Sequence, residues 1–230
     1  MSSPPPQRRT AVFQIGRLRL EGPAAQVVSL FLLAGVLTLV VLSRPSVRML
    51  LSAALWIAFQ VYWNVAARGA APAKSSESRG SRMLHQDLMI AAFVLLFAPI
   101  PGLRARFLPL SLPIVAGGLA LQAAFFRLAI WARRHLGRNW SGKVAIKVDH
   151  ELVRSGPYRV LRHPIYTAML GMFSGTALVS GEVHALVAVA LIGAAYWRKI
   201  LLEERNLRAA FGAAYDEYRR RSWAIIPWLV

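Results

Sequence analysis

Long apolar stretches alternate with short polar ones along the chain. Spanning a bilayer takes about 20 apolar residues, and fewer where flanking polar side chains reach the interface. Six nearly charge-free stretches approach this length: residues 22–43, 49–67, 88–103, 107–126, 163–181 and 183–197. The third and sixth stretches are short. The pattern therefore predicts an all-α integral membrane protein with about six transmembrane helices, or five if a short stretch does not cross.

Composition and charge support a membrane location. Of the 230 residues 56% are hydrophobic, and the net charge is +18. With a cytosolic N-terminus, 24 of the 28 Lys and Arg residues fall in cytosolic segments, which is the asymmetry of the positive-inside rule. We therefore predict a multi-pass protein with both termini in the cytoplasm and a basic rim that favours anionic lipid. A nucleic-acid partner is not expected, because the basic residues flank apolar stretches instead of forming one soluble face.

The same pattern divides the chain into three regions. Residues 1–21, with three consecutive prolines and scattered arginines, are predicted to form a flexible basic tail. Residues 22–136 contain four spans, the last continuing as a basic amphipathic helix. Residues 137–230 hold the polar motifs and a helix hairpin, and we expect them to form a cytosolic cofactor pocket. Gly171 and Gly175 have the spacing that suits close packing of a helix hairpin, and incidental small residues are an equal alternative.

Several kinds of chemistry are excluded by what the chain lacks. It has no cysteine, so disulfides, thiolate catalysis and cysteine-ligated metals are ruled out. No histidine pair has zinc-ligand spacing, and HExxH is absent, so no metal site is predicted. The serine-hydrolase elbow and the phosphate-binding glycine motifs are also missing. His85 and His184 lie at span ends and His135 in a basic run, which indicates structural or solvated roles.

The first polar motif is His163-Pro164, at the start of the fifth stretch. Proline is favoured at the first helical position, so we predict a helix beginning at Pro164. A helix N-terminus attracts anions, and Arg159 and Arg162 add positive charge next to it. Taken alone, the motif also fits an ordinary interfacial helix start with arginines that reach into water.

The second motif follows the sixth stretch. Five residues recur at every fourth position and share one helix face: Lys199, Glu203, Leu207, Phe211 and Tyr215. Because the apolar members must be buried, Lys199 and Glu203 are predicted to point toward the protein. The alternative is a surface Lys–Glu pair, which contributes only about 0.3–0.5 kcal/mol. Glu204 fits a solvated face better.

Taken in order, these motifs resemble the isoprenylcysteine carboxyl methyltransferase family. The matching pieces are Ser155-Gly156-Pro157-Tyr158, Arg162-His163-Pro164-Ile165-Tyr166, Glu203-Glu204, Phe211-Gly212, Tyr215, Tyr218 and Ile226-Pro227. The resemblance covers about residues 137–228 and is specific as a combination, although each piece alone is weak. It implies a membrane methyltransferase that uses S-adenosylmethionine and is built of helices.

The resemblance also implies roles for individual residues. The cofactor positions it implies are His150, Glu151, Leu152, Val153, Tyr158, His163, Pro164, Ile165, Tyr166 and Glu203. Lys143 occupies one further cofactor position of the family. Glu203 and Arg162 are expected to serve in catalysis. Lys199, where the family can place an arginine, or the adjacent Arg198 would contact the substrate. Lysine keeps the positive charge but lacks the planar fork that holds a carboxylate with two bonds.

Our leading hypothesis is methyl transfer to a lipophilic acceptor, with an isoprenylcysteine-like carboxylate as the expected substrate. Phospholipid amines and small thiols stay open as acceptors. A membrane reductase of the sterol-reductase type is a second hypothesis, but it predicts an Asp/Arg-rich cluster in place of Glu203-Glu204. The third is a non-enzymatic membrane protein that binds a ligand. The expected partners are membrane lipids and a lipophilic or prenylated molecule. The sequence leaves the oligomeric state open.

Overall fold

The computed structural model describes residues 12–15, 18–21, 46–67, 78–98, 100–137 and 152–227. The chain forms two compact units, Met1–Pro45 and Ser46–Val230. In the first unit, strands β1 (Val12–Ile15) and β2 (Leu18–Glu21) pair antiparallel. The structure departs from the all-α prediction here, because valine, isoleucine and phenylalanine in this segment favour extended backbone. The strands lie in the predicted tail, and the predicted span 22–43 lies outside the described residues.

The described part of the second unit is mostly helical. Its helices are α1 (Val47–Ala67), α2 (Arg79–Phe97), α3 (Leu112–Leu136), α4 (Pro164–Ser180), α5 (Val183–Phe211) and α6 (Ala213–Arg220), with a 3-10 turn at Gly156–Arg159. Three of these helices are long and apolar enough to cross a membrane, namely α3, α5 and residues Val47–Ala66 of α1. The fold therefore suits a membrane protein, and the count of six spans stays a prediction.

Prolines and glycines place several of the helix ends. Helix α4 begins at Pro164 with His163 as its N-cap, which confirms the predicted start. Helix α3 begins at Leu112 with proline in its first turn, later than the predicted residue 107, and continues to Leu136 as expected. Helix α5 ends at Phe211, and the φ of +51° at its C-cap Gly212 lies in the region that favours glycine. Helix α6 therefore starts in a new direction.

Helices α3 and α4 approach each other closely at three glycines. A Cβ atom added to Gly118 would lie 2.7 Å from the carbonyl oxygen of Gly175, and one added to Gly175 would lie 2.7 Å from that of Gly118. A Cβ on Gly171 would run into the ring of Phe125. The predicted close packing of Gly171 and Gly175 therefore exists, but its partner is α3 and not the other helix of the hairpin.

A buried set of uncharged polar side chains lies inside this bundle. Ser52 Oγ donates to Gln122 Oε1 at 2.7 Å, and Gln122 Nε2 donates back to the Ser52 carbonyl at 3.0 Å. Trp56 Nε1 donates to Thr176 Oγ1 at 3.0 Å, and Thr176 Oγ1 lies 2.9 Å from Ser52 Oγ. We call these four residues the neutral cluster. It connects α1, α3 and α4, and its members satisfy one another, as buried polar groups require.

Candidate active site

The start of α4 is held by the segment that follows α6. The backbone N–H of Arg162 donates to the Trp223 carbonyl at 2.7 Å, and that of His163 donates to the Ala224 carbonyl at 3.0 Å. In return, the N–H of Trp223 donates to the Val160 carbonyl at 3.0 Å. This short parallel pairing fixes the backbone from which the side chains of Arg162 and His163 project.

Five side chains meet where the start of α4 contacts α5. Tyr166 Oη donates to Glu203 Oε1 at 2.6 Å, and Arg162 Nε donates to Glu204 Oε1 at 2.7 Å. The imidazole of His163 lies between the two carboxylates, with Nδ1 3.5 Å from Glu203 Oε2 and Nε2 3.4 Å from Glu204 Oε1. We call Arg162, His163, Tyr166, Glu203 and Glu204 the charged network. The sequence predicted that Glu203 faces the protein, and it does; Glu204, expected at a solvated face, does too.

Arg162 is tied mainly to the protein itself. Besides Glu204, its guanidinium donates to the carbonyl of Ser222 and, at 3.3 Å, to that of Arg219. Only 8% of its side chain is exposed. Arg219 Nε also approaches Glu204, at 3.5 Å. Arg162 therefore links α4, α5 and the segment after α6. The sequence instead predicted that its positive charge helps to bind an anion at the helix start.

A row of stacked rings supports the network. The ring of Tyr166 lies between those of His163 and Tyr196, with centroids 5.6 Å and 4.7 Å away and planes tilted by 14° and 20°. His85 of α2 packs against Tyr196 at 5.8 Å. Sequence reasoning missed Tyr196, although it precedes Glu203 by two helical turns and so shares its face. His85 could not have been placed from sequence, since it belongs to another helix.

Tyrosines 158 and 218 join the 3-10 turn to α6. Tyr218 Oη donates to the Tyr158 carbonyl at 2.6 Å. Burial raises the pKa of Tyr218 to about 12 and the pKa of Tyr158 well above its usual value. Both phenols therefore keep their protons at neutral pH. Tyr215, fully buried, has a hydroxyl without a hydrogen-bond partner among the described residues.

The structure brings together only some of the residues predicted for the site. Arg162, His163, Tyr166 and Glu203 meet in the charged network, and Lys199 is half-buried one turn before Glu203. Arg198 instead donates to the Ser81 hydroxyl of α2 at 2.7 Å. Pro164 and Tyr158 are buried, and Leu152, Val153 and Ile165 are half-buried. His150, Glu151 and Lys143 lie outside the described residues.

The arrangement defines a class: a helical, membrane-type protein with a carboxylate beside stacked aromatic rings at one end of its bundle. Comparison with known proteins narrows this class. The phospholipid methyltransferase family model matches residues 113–214, which include the whole charged network. The resemblance to isoprenylcysteine methyltransferases is confirmed, because the curated relatives that align with 40% of this chain include several proteins of that name.

Three relatives illustrate the extent of the match. A protein-S-isoprenylcysteine O-methyltransferase B of Arabidopsis thaliana is 28% identical over 96 residues, covering 40% of this chain and 49% of the relative. A protein-S-isoprenylcysteine O-methyltransferase of Schizosaccharomyces pombe is 33% identical over 97 residues, or 40% of each chain. A methanethiol S-methyltransferase 2 of Bradyrhizobium diazoefficiens is 42% identical over 72 residues, or 30% of this chain and 26% of the relative. The chain thus spans about half the length of the first of these relatives, and less of the others.

Proposed function

We propose that this chain is an integral membrane methyltransferase that uses S-adenosylmethionine and methylates a lipophilic acceptor, with an isoprenylcysteine-like carboxylate as the expected one. The observation that carries the proposal is the Tyr166–Glu203 hydrogen bond beside His163, within the segment that matches methyltransferases. Glu203 and Glu204 are evidence against the reductase hypothesis, which predicts an Asp/Arg-rich cluster at these positions. The charge distribution supports a cofactor pocket on the cytosolic side of about six spans, with both termini cytoplasmic.

The donor and acceptor groups of the network fit this cofactor. Glu203 offers a carboxylate to its ammonium or ribose hydroxyls, and His163 Nε2 is buried without a hydrogen-bond partner among the described residues. Both faces of the Tyr166 ring are stacked against His163 and Tyr196, so the phenol ring of Tyr158 is the one that suits a cation, a contact that contributes about 0.5–2 kcal/mol. The residues that would hold the cofactor are His150, Glu151, Leu152, Val153, Tyr158, His163, Pro164, Ile165, Tyr166 and Glu203, with Lys143 as a further candidate.

When bound, S-adenosylmethionine supplies an activated methyl group on a positively charged sulfur. The protein's own part is to bind and orient. Tyr166 donates to Glu203 and fixes its carboxylate, while the stacked Tyr196 prevents the Tyr166 ring from turning. Such alignment contributes at most about 7–11 kcal/mol to a barrier. Arg162 acts as a positioning residue, since its bonds go to Glu204 and the backbone.

The acceptor's charge decides whether proton transfer is needed. A carboxylate acceptor is already an anion, so no base is required, and Lys199 would contribute the positive charge that attracts it. A neutral amine must first lose its proton, and Glu203 or Glu204 is the nearest carboxylate to accept it. Glu203 already accepts a hydrogen bond from Tyr166 and lies close to His163, so it is less available as a base. The geometry therefore favours a carboxylate acceptor, which needs no base.

Calorimetry of S-adenosylmethionine binding to the purified full chain in detergent tests the cofactor. We expect micromolar affinity, about −8 kcal/mol, that falls with Glu203→Ala and with Tyr166→Ala. Arg208→Ala, a change on the exposed end of the same helix, is the matched control and should bind normally. Absence of binding by folded wild-type protein would exclude the methyltransferase interpretation.

A small thiol is a second candidate acceptor, because the methanethiol S-methyltransferase has the highest identity of the three relatives. Radiolabelled methyl transfer in nanodiscs would compare a prenylated cysteine carboxylate, phosphatidylethanolamine and methanethiol. We expect transfer to the prenylated carboxylate, with KM raised by Lys199→Gln. If methanethiol alone accepts the label and Lys199→Gln has no effect on KM, the thiol assignment replaces the carboxylate one.

A further inference from the structure

A separate cavity of 130 Å³ is lined by the 3-10 turn region and α6. Its lining residues are Arg154, Arg159, Glu217, Tyr218 and Arg221. A single water needs about 10–15 Å³ of such space, so the cavity has room for a group of several heavy atoms. None of its three arginines belongs to the charged network.

The lining of the cavity has an excess of positive charge. It contains three guanidinium groups and one carboxylate, that of Glu217. This carboxylate is already paired, because Arg221 Nη2 lies 3.0 Å from Glu217 Oε1. The charges of Arg154 and Arg159 therefore have no acidic counterpart within the lining itself. A concave surface with such an excess attracts anions, even where, as here, the arginines are exposed.

Two of the lining groups are held in place. Tyr218 is buried, and its hydroxyl donates to the Tyr158 carbonyl at 2.6 Å. The guanidinium of Arg154 lies 5.9 Å from the centroid of the Tyr218 ring, a cation–π distance. This contact favours one orientation of the exposed Arg154 side chain before any ligand binds, which lowers the entropy cost of binding. Planar guanidinium groups are well suited to phosphate, because they can donate two parallel hydrogen bonds to it.

We propose that this cavity, none of whose lining residues belongs to the charged network, binds a phosphate group. The group can come from the headgroup of an anionic phospholipid or from a soluble phosphate. Helix α3 contacts the 3-10 turn and α5 contacts α6, and both are long and apolar enough to cross a membrane, so the headgroup of a neighbouring lipid can reach this region. The inference rests on the cavity alone and does not depend on the proposed methyl transfer.

Calorimetry on the full chain in a neutral detergent provides the test, since such a micelle has no surface potential of its own. The probes are inorganic phosphate, dihexanoyl phosphatidylglycerol and, as the zwitterionic comparison, dihexanoyl phosphatidylcholine. We expect binding of phosphatidylglycerol and weaker binding of phosphatidylcholine. Arg159→Ala and Arg154→Ala should each weaken binding about fivefold, the contribution typical of one basic residue with anionic lipid. Arg220→Ala is the matched control, because it is exposed, neighbours Arg221 and does not line the cavity.

The outcomes separate the two sources. Binding of phosphatidylglycerol without inorganic phosphate assigns the cavity to a lipid headgroup, and the reverse assigns it to a soluble anion. Both support the proposal if Arg159→Ala weakens binding and Arg220→Ala does not. The proposal is overturned if neither probe binds, or if all three arginine variants weaken binding equally. Unchanged melting temperatures without ligand would show that the variants are folded.

Discussion

The neutral cluster and the charged network are both polar groups set among apolar helices, yet they are built differently. In the neutral cluster, Ser52, Gln122 and Thr176 are fully buried, and their hydrogen bonds go to one another or to nearby backbone. In the charged network, 22% of the Glu203 side chain is exposed, and the buried Nε2 of His163 has no hydrogen-bond partner among the described residues.

This difference indicates different roles. A closed set of neutral hydrogen bonds stabilises helix packing at little desolvation cost, because no charge is buried. A network with a partly exposed carboxylate, and with an imidazole nitrogen that lies 3.4 Å from Glu204 without a hydrogen bond to it, keeps donors and acceptors for a ligand, at a cost in stability. We therefore expect changes in the neutral cluster to affect folding and changes in the charged network to affect ligand binding. Each prediction below tests this division.

The largest effect is expected from Glu203→Gln. The amide keeps the shape of the side chain but removes the charge, and a hydrogen bond to a charged group contributes about 1.5–3 kcal/mol. We expect affinity for S-adenosylmethionine to fall about 10- to 100-fold in calorimetry, with a nearly unchanged melting temperature in detergent. A large loss of melting temperature with intact affinity would assign Glu203 to the structural group instead.

Gln122→Met makes the opposite test. Methionine has a similar length but leaves the Ser52 hydroxyl and carbonyl without the partner that now bonds both of them. An unsatisfied buried polar group costs about 1–3 kcal/mol, so the melting temperature should fall measurably. Cofactor affinity of the folded fraction should match that of the wild type. Weaker cofactor binding in folded protein would contradict the division between the two regions.

The sequence predicted part of the charged network and none of the neutral cluster. The helix start at Pro164 and the inward face of Glu203 followed from local rules, since proline position and four-residue spacing depend on neighbours in the chain. The neutral cluster did not, because Ser52 and Thr176 lie 124 positions apart. The same holds for the pairing of Arg162 and His163 with Trp223 and Ala224, which depends on how distant segments dock.

Tyr166→Phe sharpens the comparison within the charged network. It removes the hydroxyl that donates to Glu203 but keeps the ring between those of His163 and Tyr196. The hydroxyl acts on the ligand only through the orientation of Glu203, so only part of the roughly 1.5–3 kcal/mol of a hydrogen bond to a charged group is lost from binding. Cofactor affinity should therefore fall up to about tenfold, less than in Glu203→Gln. A loss as large as that of Glu203→Gln would mean that the hydroxyl contacts the ligand itself.

The smallest effect is expected from Arg208→Ala. Its guanidinium pairs with Asp216 at 2.6 Å, but 56% of the arginine side chain is exposed. Exposed ion pairs contribute little, since water and salt screen them. Neither the melting temperature nor cofactor affinity should change measurably. A clear loss of either would show that the bend between α5 and α6 depends on this pair.

The pairing of residues 222–224 with the start of α4 has a consequence for the order of events during synthesis. Arg162 is made 60 residues before Ser222, whose carbonyl it binds. Because chains are synthesised from the N-terminus, α4 and α5 are made before the segment that fixes the start of α4 exists. The Arg162 and His163 side chains are therefore positioned last, so a ribosome that stalls before residue 222 leaves apolar helices without a completed site.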